Sequence, residues 1–275
     1  MPRQDAPADG LWAAGPRRHE VTSAQVVAVV VSATAEWRAL ETLCPGRSRR
    51  CSPFGTWFTL PSDPAGLVTV VFYGGWGKIA AAASAQYVID RFAPQLLVNL
   101  GTCGGLVGEV ARGDVLLADE TLVYDIVEQM TDADEAIAAF TTAIDLSWLD
   151  APPYPSPVRR VRLVSADRDI VPAQVETLRD RFAAVAADWE SGAIAWTAAR
   201  NGVPCLILRA VSDLVDPLGG EVYDDAPEFE RRSLEVMTDL LGVLPAWLAA
   251  WKRRPEGWSP RGPVPVPSSR LSREG

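Results

Sequence analysis

Two short polar segments interrupt otherwise apolar parts of this chain. Arg209-Ala210-Val211-Ser212-Asp213 closes the apolar run Pro204 to Leu208, and Asp188-Trp189-Glu190-Ser191-Gly192-Ala193 lies upstream. Together they bring carboxylates and an arginine to the ends of buried elements. An unpaired buried charge costs several kcal/mol, so such groups must pair, cap a neighbouring element or take part in chemistry. Pairing or capping would account for either motif alone. Two glycine-rich segments join them. Gly74-Gly75-Trp76-Gly77-Lys78 follows an apolar run and opens a helix, and Gly101-Thr102-Cys103-Gly104-Gly105 reads as a turn at the end of another run. Such turns can cradle an anion with backbone N–H groups or let a ligand approach the main chain closely. The first matches neither the dinucleotide fingerprint nor the phosphate-binding loop, because no Ser or Thr follows Lys78. A plain tight turn, with Lys78 in solvent, explains it equally well.

Composition narrows what these residues can do. The chain carries a formal charge of −9 over 275 residues, whereas binding a nucleic-acid backbone needs a concentrated basic surface. A small neutral or cationic ligand fits better. The one histidine, His19, sits in a leader without periodicity, which sets aside histidine triads and histidine-ligated metals. Proton transfer then falls to carboxylates. Cys44, Cys51, Cys103 and Cys205 lack the paired spacing of a zinc site and read as reduced packing thiols. No metal or cofactor is expected. No run of 18 apolar residues and no signal-peptide pattern occurs, so no membrane span is expected and the cytoplasm is the expected location.

With 48% hydrophobic residues, the chain is long enough for one large core. Residues 1–23 and 254–275 lack a hydrophobic repeat and read as a poorly ordered extension and a Pro-rich tail, leaving one domain over 24–253. Buried strands are expected at Gln25 to Val31, Leu67 to Phe72, Leu96 to Leu100, Val115 to Ala118, Val161 to Val164 and Cys205 to Leu208. Helices are expected over Glu36 to Leu43, Lys78 to Phe92, Gln174 to Val185, Ser191 to Asn201 and Glu228 to Leu241, with Pro245 starting a further turn. Segment 131–160 reads as a loop excursion. The alternation predicts an α/β fold with a mixed sheet flanked by helices, in which ligands gather beyond the carboxyl ends of strands. Ser32, Thr102, Ser165 and Ser212 fall at such ends.

Five motifs follow one another in order: Gly-x-Gly-Lys-x-x-Ala-Ala at Gly75 to Ala82, Asn-x-Gly-Thr-x-Gly-Gly-Leu at Asn99 to Leu106, Gly113-Asp114, Asp-x-Glu-Ser-x-Ala at Asp188 to Ala193, and Arg-Ala-x-Ser-Asp at Arg209 to Asp213. This set resembles the nucleoside phosphorylase and nucleosidase superfamily, most closely its methylthioadenosine/S-adenosylhomocysteine nucleosidase branch. The resemblance implies a single α/β domain around a mixed, partly closed central sheet, assembled as a homodimer or larger homo-oligomer. It also implies cleavage of the N-glycosidic bond of a purine nucleoside. On this resemblance Asp213 protonates N7 of the departing base, a task for a carboxyl group raised by burial, and Ser212 orients it. Glu190 holds the ribose hydroxyls, with Trp189 where methionine is common. Arg209, Thr102 and Glu36 surround the nucleophile, Glu36 as the base that deprotonates water. Cys103 and Gly104 adjoin Thr102 at the substrate. A helix-end carboxylate held by the helix dipole is the other reading of Glu36.

Phosphorolysis needs a cationic pocket for a dianion, and Glu36 beside Arg209 would repel phosphate, which favours water. On the same resemblance the base is read by backbone near Asp169 and Ile170, with Asp169 where an aromatic residue often stacks in the family. Trp76 replaces a small aliphatic residue at the 5′ pocket, and Tyr223 is placed at the same end; ordinary packing is the other role for both aromatics. Methylthioadenosine, other 5′-modified adenosines and futalosine-like nucleosides all remain compatible. A phosphate-dependent phosphorylase and a nucleoside-binding module without turnover stand as alternatives to the hydrolase.

Overall fold

The computed structural model describes residues 25–61, 66–149 and 152–260. The expected extension at 1–23 and most of the expected tail lie outside them. The unbroken β-branched run Val26–Val31 forms strand β1, with all six residues buried, as suits a strand covered on both faces. Next come α1 (Thr34–Leu43), the hairpin of β2 (Arg50–Ser52) and β3 (Gly55–Thr59), β4 (Val68–Tyr73), α2 (Lys78–Phe92) and β5 (Leu96–Leu106). β6 (Val115–Val123), α3 (Ala133–Ala139), β7 (Thr141–Ala143), β8 (Arg159–Ser165), α4 (Val175–Phe182) and β9 (Ala186–Asp188) follow. The chain continues through α5 (Ser191–Arg200), β10 (Cys205–Asp216), β11 (Gly219–Gly220) and α6 (Ala226–Lys252).

One mixed sheet joins these strands in the order β11-β10-β6-β8-β9-β5-β1-β4-β3-β2, with β7 on β6. β10 also pairs with β5 in parallel, so β5, β10, β6, β8 and β9 close into a ring. The sheet is therefore partly closed, and the fold is a single α/β domain. Helices α2 and α5 pack together against it, as do α1 and α6.

Three differences from the sequence reading matter for the site. The glycines at 101–105 do not end β5; the strand runs through them to Leu106. A Cβ at Gly101 would overlap Arg209 Nη1 and Glu36 Oε1, so that glycine makes room for side chains instead of forming a turn. β10 likewise continues to Asp216, and its pairing with β5 shifts between Val211 and Asp213. This β-bulge bends the strand and re-aims the side chains beside it. The expected loop excursion at 131–160 contains α3 and β7, with Asp132 capping α3 through the N–H groups of Asp134 and Glu135.

The remaining differences concern helices. α4 stops at Phe182, before the expected Val185, because Ala183 turns left-handed at φ 51°. α6 runs unbroken through Pro245, held by the docking of buried Leu244, Trp247 and Trp251 on the core. By length and composition α6 is apolar enough to cross a membrane, although Glu235 and Asp239 interrupt its apolar run. Its apolar side is committed to the core through Met237 and Leu240 as well. The start of the expected tail is docked too. Trp258 packs edge-on against Trp251 at 5.6 Å and donates to Ser147 Oγ at 3.0 Å.

Candidate active site

The paired strands β5 and β10 set Arg209 opposite Gly101, and the guanidinium enters the space that glycine leaves. Nε donates to Ser191 Oγ at 3.0 Å, Nη2 to Asn99 Oδ1 at 2.9 Å and Nη1 to the Thr102 carbonyl at 3.3 Å. It also pairs with Asp188 at 2.9 Å, Glu36 at 3.5 Å and Glu190 at 3.6 Å. These four charged side chains are almost fully buried. A buried guanidinium persists only with its donors satisfied and its charge matched, and here carboxylates outnumber it.

Each carboxylate has its own support. Glu36 is the third helical residue of α1. Its Oε2 accepts the Ser32 and Ala33 N–H groups at 3.2 and 3.0 Å, while Oε1 accepts the Thr102 N–H at 2.7 Å and its hydroxyl at 3.1 Å. One carboxylate thus caps the helix and also lines the cavity. Asp188 accepts from Ser165 Oγ at 2.5 Å and from the Ser191 N–H at 3.2 Å. Glu190 accepts the Gly77 N–H at 3.0 Å. Burial pushes the Glu190 carboxyl up to about 8, against the opposing pull of Arg209.

The first glycine segment is a clamp. Besides the Gly77 bond to Glu190, the Lys78 N–H donates to Asp167 Oδ1 at 2.6 Å, and the Lys78 ammonium pairs with Asp125 and Asp167. Lys78 is therefore not a free solvent lysine, and the chain's own carboxylates occupy two donors that an anion would need.

On the other side of the cavity, the β10 bulge presents Asp213. Ser212 Oγ donates to Asp213 Oδ1 at 2.6 Å, and Arg232 Nη1 donates to the Ser212 carbonyl at 3.1 Å. Burial raises the Asp213 carboxyl, while the Ser212 bond and the Arg232 charge oppose that rise. Asp213 and Ile170 lie close to Gly104, where a Cβ would meet Ile170 Cδ1 at 3.1 Å and Asp213 Oδ2 at 3.9 Å.

Between these groups lies a cavity of about 600 Å³. Glu36, Glu190, Asp213 and Ser212 line it, as do Thr102, Cys103 and Gly104 of β5. Asp169, Ile170, Trp76, Trp189 and Tyr223 complete the set that the sequence proposed. Arg209 lies behind the wall and reaches the cavity through its carboxylates. Trp76 and Trp189 meet at 5.9 Å, with Trp76 65% exposed at the mouth. Tyr223 departs from the expected position with Trp76, since its hydroxyl donates to the Ile170 carbonyl at 2.6 Å on the Asp213 side. Cys103 is buried and its thiol is pushed up by desolvation, which makes it an inert packing group. A larger cavity of about 880 Å³ beside β7 and α5 contains none of these residues. The convergent carboxylates make the smaller one the candidate site.

A family model described as the phosphorylase superfamily matches residues 28–243. The chain belongs to that superfamily. It is 31% identical over 197 residues to a 5'-methylthioadenosine/S-adenosylhomocysteine nucleosidase from Listeria monocytogenes serotype 4b, covering 66% of this chain and 84% of the relative. The fold is similar to a Helicobacter pylori nucleosidase of the same name, with TM-score 0.68, 17% identity and coverage of 82% and 98% of the two chains. It is also similar to a futalosine hydrolase mutant from Helicobacter pylori, with TM-score 0.67, 17% identity and coverage of 82% and 99%.

In this member of the phosphorylase superfamily, the sequence reading left without a role the residues that hold Arg209 in place. Asp188 stood out as part of a charged cluster, but its bonds to Ser165 and Arg209 depend on β8, β9 and β10 meeting. Asn99 and Ser191 sit inside recognised motifs and carried no chemical signal of their own. Only their hydrogen bonds to the guanidinium reveal what they do.

Proposed function

We propose that this chain is a hydrolytic N-glycosidase that frees the base of a purine nucleoside. The carrying observation is that Arg209 is already engaged by Glu36, Asp188 and Glu190. A phosphate dianion needs an uncommitted cationic pocket, and Glu36 would repel it; water needs only a base. The names of the relatives, methylthioadenosine/S-adenosylhomocysteine nucleosidase and futalosine hydrolase, support the same reaction class.

In this reading the bond from C1′ to the purine nitrogen breaks with its electron pair going to the base. Asp213, favoured in its protonated form by burial, gives its proton to N7. Glu190 holds the ribose hydroxyls, and positive charge developing on the sugar favours its ionised form. A water oxygen bonds to C1′ and passes its proton to Glu36, whose Oε1 the Thr102 donors fix in place. The substrate is a 5′-modified adenosine or a futalosine-like nucleoside, with Trp76 and Trp189 bounding its sugar end. The protein is read as cytoplasmic and as a homodimer or larger assembly.

Base release from 5′-methylthioadenosine, adenosine and futalosine, with and without phosphate, tests the reading. Phosphate-independent release of base and free sugar is expected. Release that requires phosphate and yields a sugar phosphate overturns it in favour of a phosphorylase. Measurable binding without release overturns it in favour of a binding module.

A further inference from the structure

Tyr223 stands between β11 and α6, and its ring crosses the backbone of Gly220. A Cβ at Gly220 would meet three ring carbons at 2.5–2.7 Å, so that glycine seats the ring. The half-buried ring forms part of the cavity wall, and its hydroxyl donates to the Ile170 carbonyl at 2.6 Å. A phenol has one proton to donate. With that proton held by Ile170, the oxygen can offer a ligand only lone pairs. Burial and the charge of Asp169 raise the Tyr223 ionisation further, which keeps the proton in the bond across the neutral range. Asp169 is itself an acceptor group in the same wall. Arg168, the cation there, is engaged by Gln174 Oε1 at 2.7 Å and lies over the Tyr124 ring at 5.6 Å.

We propose that Tyr223 is a base-specificity residue whose hydroxyl oxygen accepts from an exocyclic amino group, selecting 6-aminopurine over 6-oxopurine nucleosides. This rests on the nucleosidase reading and on Asp213 serving N7. The 6-substituent of a purine neighbours N7, so a group on the Asp213 side of the cavity meets that edge. An amino group brings donors to a wall of acceptors, whereas an oxo group sets acceptor against acceptor. Unpaired buried polar groups are what make such discrimination large.

The test compares kcat/KM for 5′-methylthioadenosine and 5′-methylthioinosine, and for adenosine and inosine, in the wild type and in Tyr223→Phe. Phenylalanine keeps the ring on Gly220 and removes only the hydroxyl. The wild type is expected to favour the amino member of each pair by about 10²-fold or more. Tyr223→Phe is expected to lose roughly tenfold on the amino substrates and to stay within about twofold on the oxo substrates. A merely structural role would lower both members equally, which overturns the proposal, as does a wild-type preference for the oxo substrates. Base release by the wild type from futalosine alone overturns this assignment and leaves the nucleosidase reading standing, whereas release from none of these nucleosides overturns both.

Discussion

Replacing Arg209 by Met keeps most of the aliphatic stem and deletes the charge that Glu36, Asp188 and Glu190 share at 3.5, 2.9 and 3.6 Å. Removing one partner of a buried ion pair costs about 3–5 kcal/mol. Ser191 Oγ, Asn99 Oδ1 and the Thr102 carbonyl also lose a donor, at about 1 kcal/mol each before neighbours adjust. Since Ser191 keeps its contacts with Asp188, we expect a net loss of about 5 kcal/mol, a large share of the roughly 5–15 kcal/mol that stabilises a typical domain. Urea unfolding followed by circular dichroism measures it, at pH 8 and again at pH 5.5. Without the guanidinium, the Glu190 carboxyl, already raised by burial, rises further in the folded state. Groups raised on folding favour the folded form when protonated, so the deficit is largest above their raised values and shrinks as pH falls through them. The gap between wild type and variant should therefore narrow at pH 5.5. A loss under about 1 kcal/mol, or a gap that widens on acidification, would show that Arg209 does not sustain the cluster.

Asp213→Asn should lower kcat on purine nucleosides by roughly 10²-fold or more; a near-normal rate in steady-state assays removes Asp213 from the mechanism. On the proposal that Asp213 works in its protonated form, kcat should fall as pH rises through its raised pKa. The Ser212 hydrogen bond lowers that pKa, so Ser212→Ala should move the falling limb to higher pH, and a shift to lower pH contradicts the assignment. Gly101→Ala forces a methyl group onto Arg209 and Glu36 and should cost about 1–3 kcal/mol of stability, read from thermal melts. An unchanged melting temperature would mean the close approach is not real.

Much of the fold was legible because its strands are apolar runs too short and too β-branched to be helices. The Val26 to Val31 run and the helix from Lys78 to Phe92 fall where expected. What was not legible depends on partners distant in sequence. β9 is three residues long and has no periodicity of its own; it is a strand because β5 and β8 flank it. The hairpin at β2 and β3 opens on Arg50 and Cys51, both exposed, so no buried run announces it. The glycines at 101–105 signal a turn in isolation, yet Gly101 clears space for an arginine from another strand. At the site, the residue types of Glu190 and Asp213 marked them as candidates, and the family resemblance added Glu36. The bulge that aims Asp213 is a matter of register between β5 and β10, which no local pattern records.

The ring of β5, β10, β6, β8 and β9 has a consequence for how such a protein can change over generations. Thr102, Asp188, Arg209 and Asp213 belong to strands of that ring, and a slip in one strand would have to be absorbed around the whole circuit. Trp76, Asp169, Trp189 and Tyr223 lie on connections outside the strands, where substitutions and insertions disturb no register. A lineage built on this ring can therefore exchange side chains at the rim of the cavity while the frame that seats Arg209 and Asp213 is inherited intact.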